Sequence, residues 1–331
     1  MANNFLSDYL IVGSGNIAYK HCKNIRSIDE TCNITLCKRS DSSYDKNIEA
    51  ICNVKINKLE DSRPKELSSI AIIASPASFH VDDAITLLSQ GFHLLIEKPL
   101  SINLNKINEL LKLSSSSRLK ILIGYNFRYS KILRDAKEII QTGMLGDISE
   151  VKIHVETDFT KWRKHIDPKK TVTASRGLGG GVLLELSHEP DYLCYLFGKP
   201  STVLASDISK NIFNIDTSVT SLFKYKNSNM VIKMHQDIYS DKESRFCIIM
   251  GQKMSMHMNL MDNTIKLLSQ DDSKVISSSS EEMYIDELKD LHYSISNDTT
   301  PLSNINTALE TQNIIESMKQ SISEKITCQI H

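Results

Sequence analysis

An apolar run, Tyr9 to Val12, leads directly into Gly13-Ser14-Gly15-Asn16-Ile17-Ala18, and residues at helical spacing follow. A strand that ends in two spaced glycines and re-enters as a helix has few ways to fold. Gly13 permits a tight turn, Gly15 lets a pyrophosphate approach the backbone, and Ala18 is small enough for close packing of helix on strand. The helix amino terminus, at Asn16 and Ile17, then faces bound phosphates. A plain glycine turn would read the same in isolation, so the surrounding rhythm decides.

That rhythm is an alternation of strands and helices. Strand-like runs at Tyr9 to Val12, Ile34 to Cys37, Ile70 to Ala74, Phe92 to Ile96 and Leu119 to Ile123 are separated by helical patterns such as Val81 to Gln90 and Leu104 to Leu113. Parallel strands need crossovers of this kind, and residues 1–125 are expected to form a doubly wound α/β domain that binds a dinucleotide. After Gly124 strands dominate: Val151 to Val155, Ser218 to Tyr225, Met230 to His235, Arg245 to Met250 and Met254 to Leu260. Residues 126–331 are therefore expected to form an α+β domain with a large, mostly antiparallel open sheet.

The 331 residues suffice for two such cores. With 39 basic and 40 acidic side chains the formal charge is -1, which leaves no electrostatic footprint for nucleic acid or an anionic membrane. No stretch reaches the ~20 apolar residues of a membrane span, and Met1 to Phe5 lacks a basic, then apolar, leader, so a cytoplasmic location is expected. Seven scattered cysteines without C-x-x-C spacing are expected to be reduced, and no metal is expected.

In a sheet of this type ligands meet the carboxyl ends of the strands. Cys37-Lys38-Arg39-Ser40 follows the second strand with no acid before Asp41. Lys38, Arg39 and Ser40 would donate to a ribose 2′-phosphate, so NADP(H) is preferred and NAD(H) remains open. Ser75 and Pro76 follow another strand and are expected to touch the cofactor, with His80 nearby. Glu97-Lys98-Pro99 ends the strand Phe92 to Ile96. Hydride exchange with an alcohol or ketone needs a group that handles the hydroxyl proton, and Lys98 is placed for that. Glu97 would hold backbone or ribose.

A second cluster reads Gly179-Gly180-Gly181-Val182-Leu183-Leu184-Glu185-Leu186-Ser187-His188-Glu189-Pro190-Asp191-Tyr192. Three glycines permit close approach of a ligand or another backbone. On one continuous helix Glu185, His188 and Asp191 would share a face and line a cleft. Pro190 would break such a helix unless Ser187 caps a new one. Around Trp162, the residues Lys161, Arg163, Lys164, His165 and Arg176 form a basic stretch that would suit a phosphate.

These segments, with Gly124-Tyr125-Asn126-Phe127-Arg128 and Trp162-Arg163, resemble the Gfo/Idh/MocA oxidoreductase family over nearly the whole chain. The resemblance implies a Rossmann domain, a second domain whose open sheet mediates homodimer or homotetramer contacts, and NAD(P)-dependent redox chemistry on sugars or their derivatives. It implies that Lys98 and His188 handle the proton, with Glu185 orienting His188. Asn126, Trp162, Arg163 and Tyr284 match positions that reach the cofactor; Lys98, Arg128, Arg176, His188 and Asp191 are expected at the substrate. The wording of the glycine-rich segment looks most like a bacterial branch associated with surface-glycan sugars. Two other readings accompany this one: a tightly held NAD(P) recycled within one turnover, as in a glycosidase or epimerase, and a non-catalytic NADP(H)- or sugar-binding subunit.

Overall fold

In the computed structural model the described residues are 8–38, 45–163, 165–210, 212–269, 273–277 and 282–331. Strands β1 (Tyr9–Val12), β2 (Ile34–Cys37), β3 (Val54–Ile56), β4 (Ile70–Ile73), β5 (His93–Ile96) and β6 (Ile121–Ile123) form one parallel sheet. Its order is β3-β2-β1-β4-β5-β6. The chain leaves β1 for β2 on one side and returns to β4 on the other, so the order reverses between β1 and β4, the position at which sheets of this kind open a ligand crevice. Strands β1, β4 and β5 are buried at every residue, as strands covered on both faces must be. Helices α1 (Asn16–Ile28), α2 (Asp45–Glu49), α3 (His80–Gln90) and α4 (Ile107–Ser116) supply the crossovers. Leu10, Ile73, Leu87, Leu94 and Leu110 lie in the resulting core.

Beyond the first domain come helices α5 (Lys131–Gln141), α6 (Val182–Glu185) and α7 (His188–Phe197). The strands there are β7 (Ile148–Asp158), β8 (Thr202–Asp207), β9 (Ser218–Tyr225), β10 (Ser228–Asp237), β11 (Tyr239–Gly251), β12 (Ser255–Asn259), β13 (Thr264–Leu268), β14 (Ser273–Ser277) and β15 (Cys328–Gln329). They form a nine-stranded sheet in the order β14-β13-β12-β11-β7-β10-β9-β8-β15. All its neighbours pair antiparallel except β7 and β10, which run parallel because their connection crosses the sheet rather than turning back as a hairpin. The expected pair of domain types, parallel α/β followed by a mostly antiparallel open sheet, is the observed one.

The two compact units are not consecutive in sequence. The first comprises 1–126 with 282–309, and the second 127–281 with 310–331. The expected continuous span 126–331 therefore differs from the contact-defined unit. The reason is α8 (Met283–Asn297), whose buried residues Glu287, Leu288, Leu291 and His292 belong to the first unit, where α8 packs on α1, β5 and β6. Helix α9 (Ile305–Glu324) follows. Among the described residues no helix is long and apolar enough to cross a membrane. The seven cysteines are unbridged.

Candidate active site

In the first unit the glycine turn has the geometry that the sequence demands. Gly13 sits at φ +105°, and a Cβ there would lie 2.7 Å from the Ala74 carbonyl oxygen. Glycine is thus needed both for the left-handed backbone and for the contact between the loop and the end of β4. A Cβ at Gly15 would meet nothing within 4 Å, so the face of the loop at the start of α1 is open. The first intrahelical bond there runs from the Tyr19 amide to the Gly15 carbonyl at 3.1 Å. The preceding amides of the helix have no intrahelical partner and point outward, and the first turn carries no acid to repel a phosphate. These features fit a dinucleotide pyrophosphate.

Lys98, half-buried, stands just past β5 on the same carboxyl edge of the sheet, before a cis bond to Pro99. Glu97, directly before it, is 7% exposed. It accepts from His21 Nε2 at 2.7 Å and from the Lys98 amide at 3.3 Å. A Cβ on Gly124 would come within 3.2 Å of Glu97 Oε2, so that glycine makes room for the carboxylate.

Other expected cofactor residues divide. Ser75 and Pro76 lie at the carboxyl end of β4, where Ser75 Oγ donates to Asp83 at 3.0 Å. His80 is 1% exposed, and its ring nitrogens lie 2.8 Å from the carbonyls of Ser75 and Pro99. It ties together the loops that carry Ser75 and Pro99. Burial lowers its pKa, against the pull of the two carbonyls. Lys38 lies 3.7 Å from Glu49, a partner that the sequence reading did not foresee, whereas Arg39 and Ser40 lie outside the described residues. Asn126 is 3% exposed and bonds Tyr284 of α8. Tyr284 also carries Lys20 Nζ 3.6 Å above its ring.

In the second unit the expected single helix is two. The helical pattern breaks at Leu186 and Ser187 between α6 and α7, so Glu185 lies on a different helix from His188 and Asp191. The break answers the problem of Pro190, which falls in the first turn of α7, where no intrahelical amide bond is lost. The glycines serve backbone packing: a Cβ at Gly180 would overlap the Thr173 carbonyl and one at Gly181 would lie 2.6 Å from Asp216 Oδ1. Asp216 in turn accepts from the Val182 and Leu183 amides and closes the start of α6, a cap that sequence spacing did not reveal.

Asp191 and Arg128, both expected at the substrate, are instead each other's partners. Arg128 Nε and Nη2 reach the carboxylate at 2.9 and 2.8 Å, and Thr311 adds a third donor at 3.1 Å. With Asp191 at 0% and Arg128 at 3% exposure, this is an internal brace. Burial raises the Asp191 pKa, against the pull of Arg128 and Thr311.

His188 opens α7 and stacks on Phe127, with ring centroids 4.4 Å apart at 15°. Arg245 lies over the same Phe127 ring at 4.5 Å and holds fully buried Glu189 through two bonds of 2.8 and 3.0 Å. Glu189, Arg245 and Phe127 thus fix the wall behind His188. The sequence held one clue: an acid directly after the histidine, with Asp191 two residues on, in a helix whose remaining turns are largely apolar. Trp162 is 44% exposed, and its indole N–H donates to Thr157 at 3.1 Å. Arg163 is half-buried and Arg176 is exposed on a short turn.

Comparison with known proteins places this geometry. Residues 7–125 match the oxidoreductase family with an NAD-binding Rossmann fold, and residues 133–257 match the GFO/IDH/MocA C-terminal domain. Oxidoreductase P35 of Formosa agariphila is 24% identical over 266 residues, 77% of this chain and 80% of its own length. Glucose-6-phosphate 3-dehydrogenase of Bacillus subtilis is 26% identical over 197 residues, 56% of this chain and 53% of its own. Several other curated relatives are matched over less than half of their length. Among solved structures, a levoglucosan dehydrogenase in complex with NADH and levoglucosan superposes with a TM-score of 0.85 at 15% identity, covering 98% of this chain and 99% of that one. With both its parallel sheet and its open-sheet domain matched, the chain belongs to the Gfo/Idh/MocA family of oxidoreductases.

Proposed function

We propose that this protein transfers a hydride between a nicotinamide dinucleotide and a hydroxyl or ketone of a sugar or sugar derivative. The observation that carries the reading is the shared edge of one parallel sheet: the Gly13 turn and open α1 amino terminus at β1, and Lys98 at β5. The Gly13 to Ile17 backbone and Ser75 would hold the dinucleotide, which supplies a hydride acceptor or donor when bound. Lys98 exchanges the hydroxyl proton with the substrate, and its ammonium stabilises oxygen charge that develops during transfer. His188 is the second proton-handling candidate. Its ring stacks on Phe127, which supports an imidazole preorganised by packing. The activity named for relatives, on glucose 6-phosphate and on levoglucosan, supports the sugar class.

The absence of an acid at Cys37-Lys38-Arg39-Ser40 supports NADP(H) over NAD(H). The outer face of the nine-stranded sheet supports self-association. It exposes Leu204 beside Leu222 and Phe246, and it carries both Lys152 and Lys233 and Glu150, a mixture that suits a two-fold, self-complementary contact. The test of the catalytic assignment is Lys98→Met. Turnover should fall by about 10²-fold or more while dinucleotide binding is retained; undiminished turnover would remove Lys98 from the reaction.

A further inference from the structure

Behind the Lys98 strand end lies a group that the proposed chemistry does not use. His21 of α1, Glu97 after β5 and Glu287 of α8 converge from positions far apart in sequence. One potential ligand atom from each lies within 4.8 Å of the others, and all three residues are buried. His21 and Glu97 are joined directly at 2.7 Å. Glu287 is 0% exposed, and among the described residues neither carboxylate oxygen has a hydrogen-bond partner; the same is true of His21 Nδ1.

Two adjacent carboxylates in a dry site cannot both remain charged without a counterion. The groups around them are few. Helix α1 brings Lys20 and His21, the end of β5 brings Glu97 and Lys98, α8 brings Glu287 and Tyr284, and β6 is apolar. Lys20 Nζ sits over the Tyr284 ring, and its one positive charge acts on both Glu97 and Glu287. Among the described residues a divalent ion would find three protein ligands there, two of them already bonded to each other, so the arrangement is poor for a tetrahedral or octahedral metal site. A proton answers the same need. If a neutral His21 donates through Nε2 to Glu97, its buried Nδ1 is an acceptor, and a protonated Glu287 supplies a donor within a cluster whose potential ligand atoms lie within 4.8 Å of one another.

We propose that Glu287 is a neutral carboxylic acid that shares its proton with the His21–Glu97 pair, and that it is a positioning residue for the strand end carrying Lys98. The trio then keeps Glu97 as the single anion directly before Lys98. Its carboxylate stays anchored to His21 and to the Lys98 amide instead of being driven away by a second negative charge. Burial and the neighbouring Glu97 push the Glu287 carboxyl well above the usual carboxylate range, with Lys20 pulling the other way. The positioning role rests on the proposed hydride-transfer function, whereas the proton itself does not.

The experiment is infrared spectroscopy of the full-length protein at neutral pH, wild type minus Glu287→Gln. The expected result is a protonated-carboxyl C=O band that disappears in the variant. Melting temperature against pH is read on the same samples. A proton kept in the folded state and lost from the unfolded chain above its ordinary carboxyl pKa lowers wild-type stability as pH rises. The melting temperature of Glu287→Gln relative to wild type should therefore climb with pH. In a sugar assay the variant should retain turnover, with the alkaline limb of its pH profile shifted. Absence of the infrared band, a pH-independent difference in melting temperature, failure of the neutral isostere to fold, or an unchanged pH profile would overturn the proposal. So would a stoichiometric divalent metal, found by elemental analysis in wild type and missing from the variant. The infrared and melting readouts need no substrate, so a failure to find a sugar leaves them decisive.

Discussion

Replacing Asp191 separates an internal brace from a substrate contact. In the structure Arg128 and Asp191 are almost completely removed from solvent, and the carboxylate receives two guanidinium nitrogens and the Thr311 hydroxyl. Asp191→Ala would strand a guanidinium in the interior, and breaking such a pair costs about 3–5 kcal/mol. Thr311→Val removes one hydrogen bond while the charges stay matched and should cost about 1 kcal/mol. The combined Arg128→Met and Asp191→Leu exchange removes both charges and should return to within about 2 kcal/mol of wild type, because an apolar pair needs no desolvation. Urea unfolding, with the midpoint and slope fitted for each variant, measures all three. A loss below about 1 kcal/mol for Asp191→Ala would equal the worth of an exposed ion pair and refute the brace. A change in KM with unaltered stability would restore Asp191 to the substrate.

Gly13→Ala should abolish dinucleotide binding and cost at least about 2 kcal/mol, since it combines a left-handed backbone with a Cβ 2.7 Å from the Ala74 carbonyl; fluorescence titration and urea unfolding check both parts. Arg245→Met should leave Glu189 buried without its partner and free the far face of Phe127, destabilising the protein by about 3 kcal/mol and lowering turnover through His188. His292, bonded to Tyr9 and buried, has its pKa lowered to about 4. The unfolded chain takes up that proton below its ordinary value of 6.5 and the folded one only near 4, so His292 stability is present above pH 6.5 and lost as pH falls. Wild type should lose up to about 3 kcal/mol more than His292→Gln across that window, as measured by unfolding at several pH values.

Local patterns carried most of the first unit. The strand-like runs coincide with β1, β2, β4, β5 and β6, because fully buried parallel strands are continuously apolar. Strand β3 escaped, being three residues long with Val54 and Lys55 exposed. The return of α8 to the first unit was not legible, since amphipathic spacing shows that a helix has a buried face without showing what covers it. Side-chain partnerships were hidden for the same reason. Arg128 and Asp191 look like binding residues until a separation of 63 positions is closed by the fold, and Glu189 meets Arg245 across 56. The break between α6 and α7 had a visible cause in Pro190, whereas the close approach of Gly181 to Asp216 at the start of α6 had no local signal. What remained readable at the site was the chemistry tied to strand ends, namely the Gly13 turn and Lys98.

The most direct test takes wild type and Lys98→Met, stripped of cofactor, through parallel titrations with NADH and NADPH, followed by a panel of sugars, sugar phosphates and nucleotide sugars monitored by nicotinamide absorbance. The account predicts that both proteins bind a dinucleotide with similar affinity, NADPH the tighter, and that only wild type changes the absorbance with a sugar. Binding of neither dinucleotide, or equal turnover by the two proteins, would contradict it.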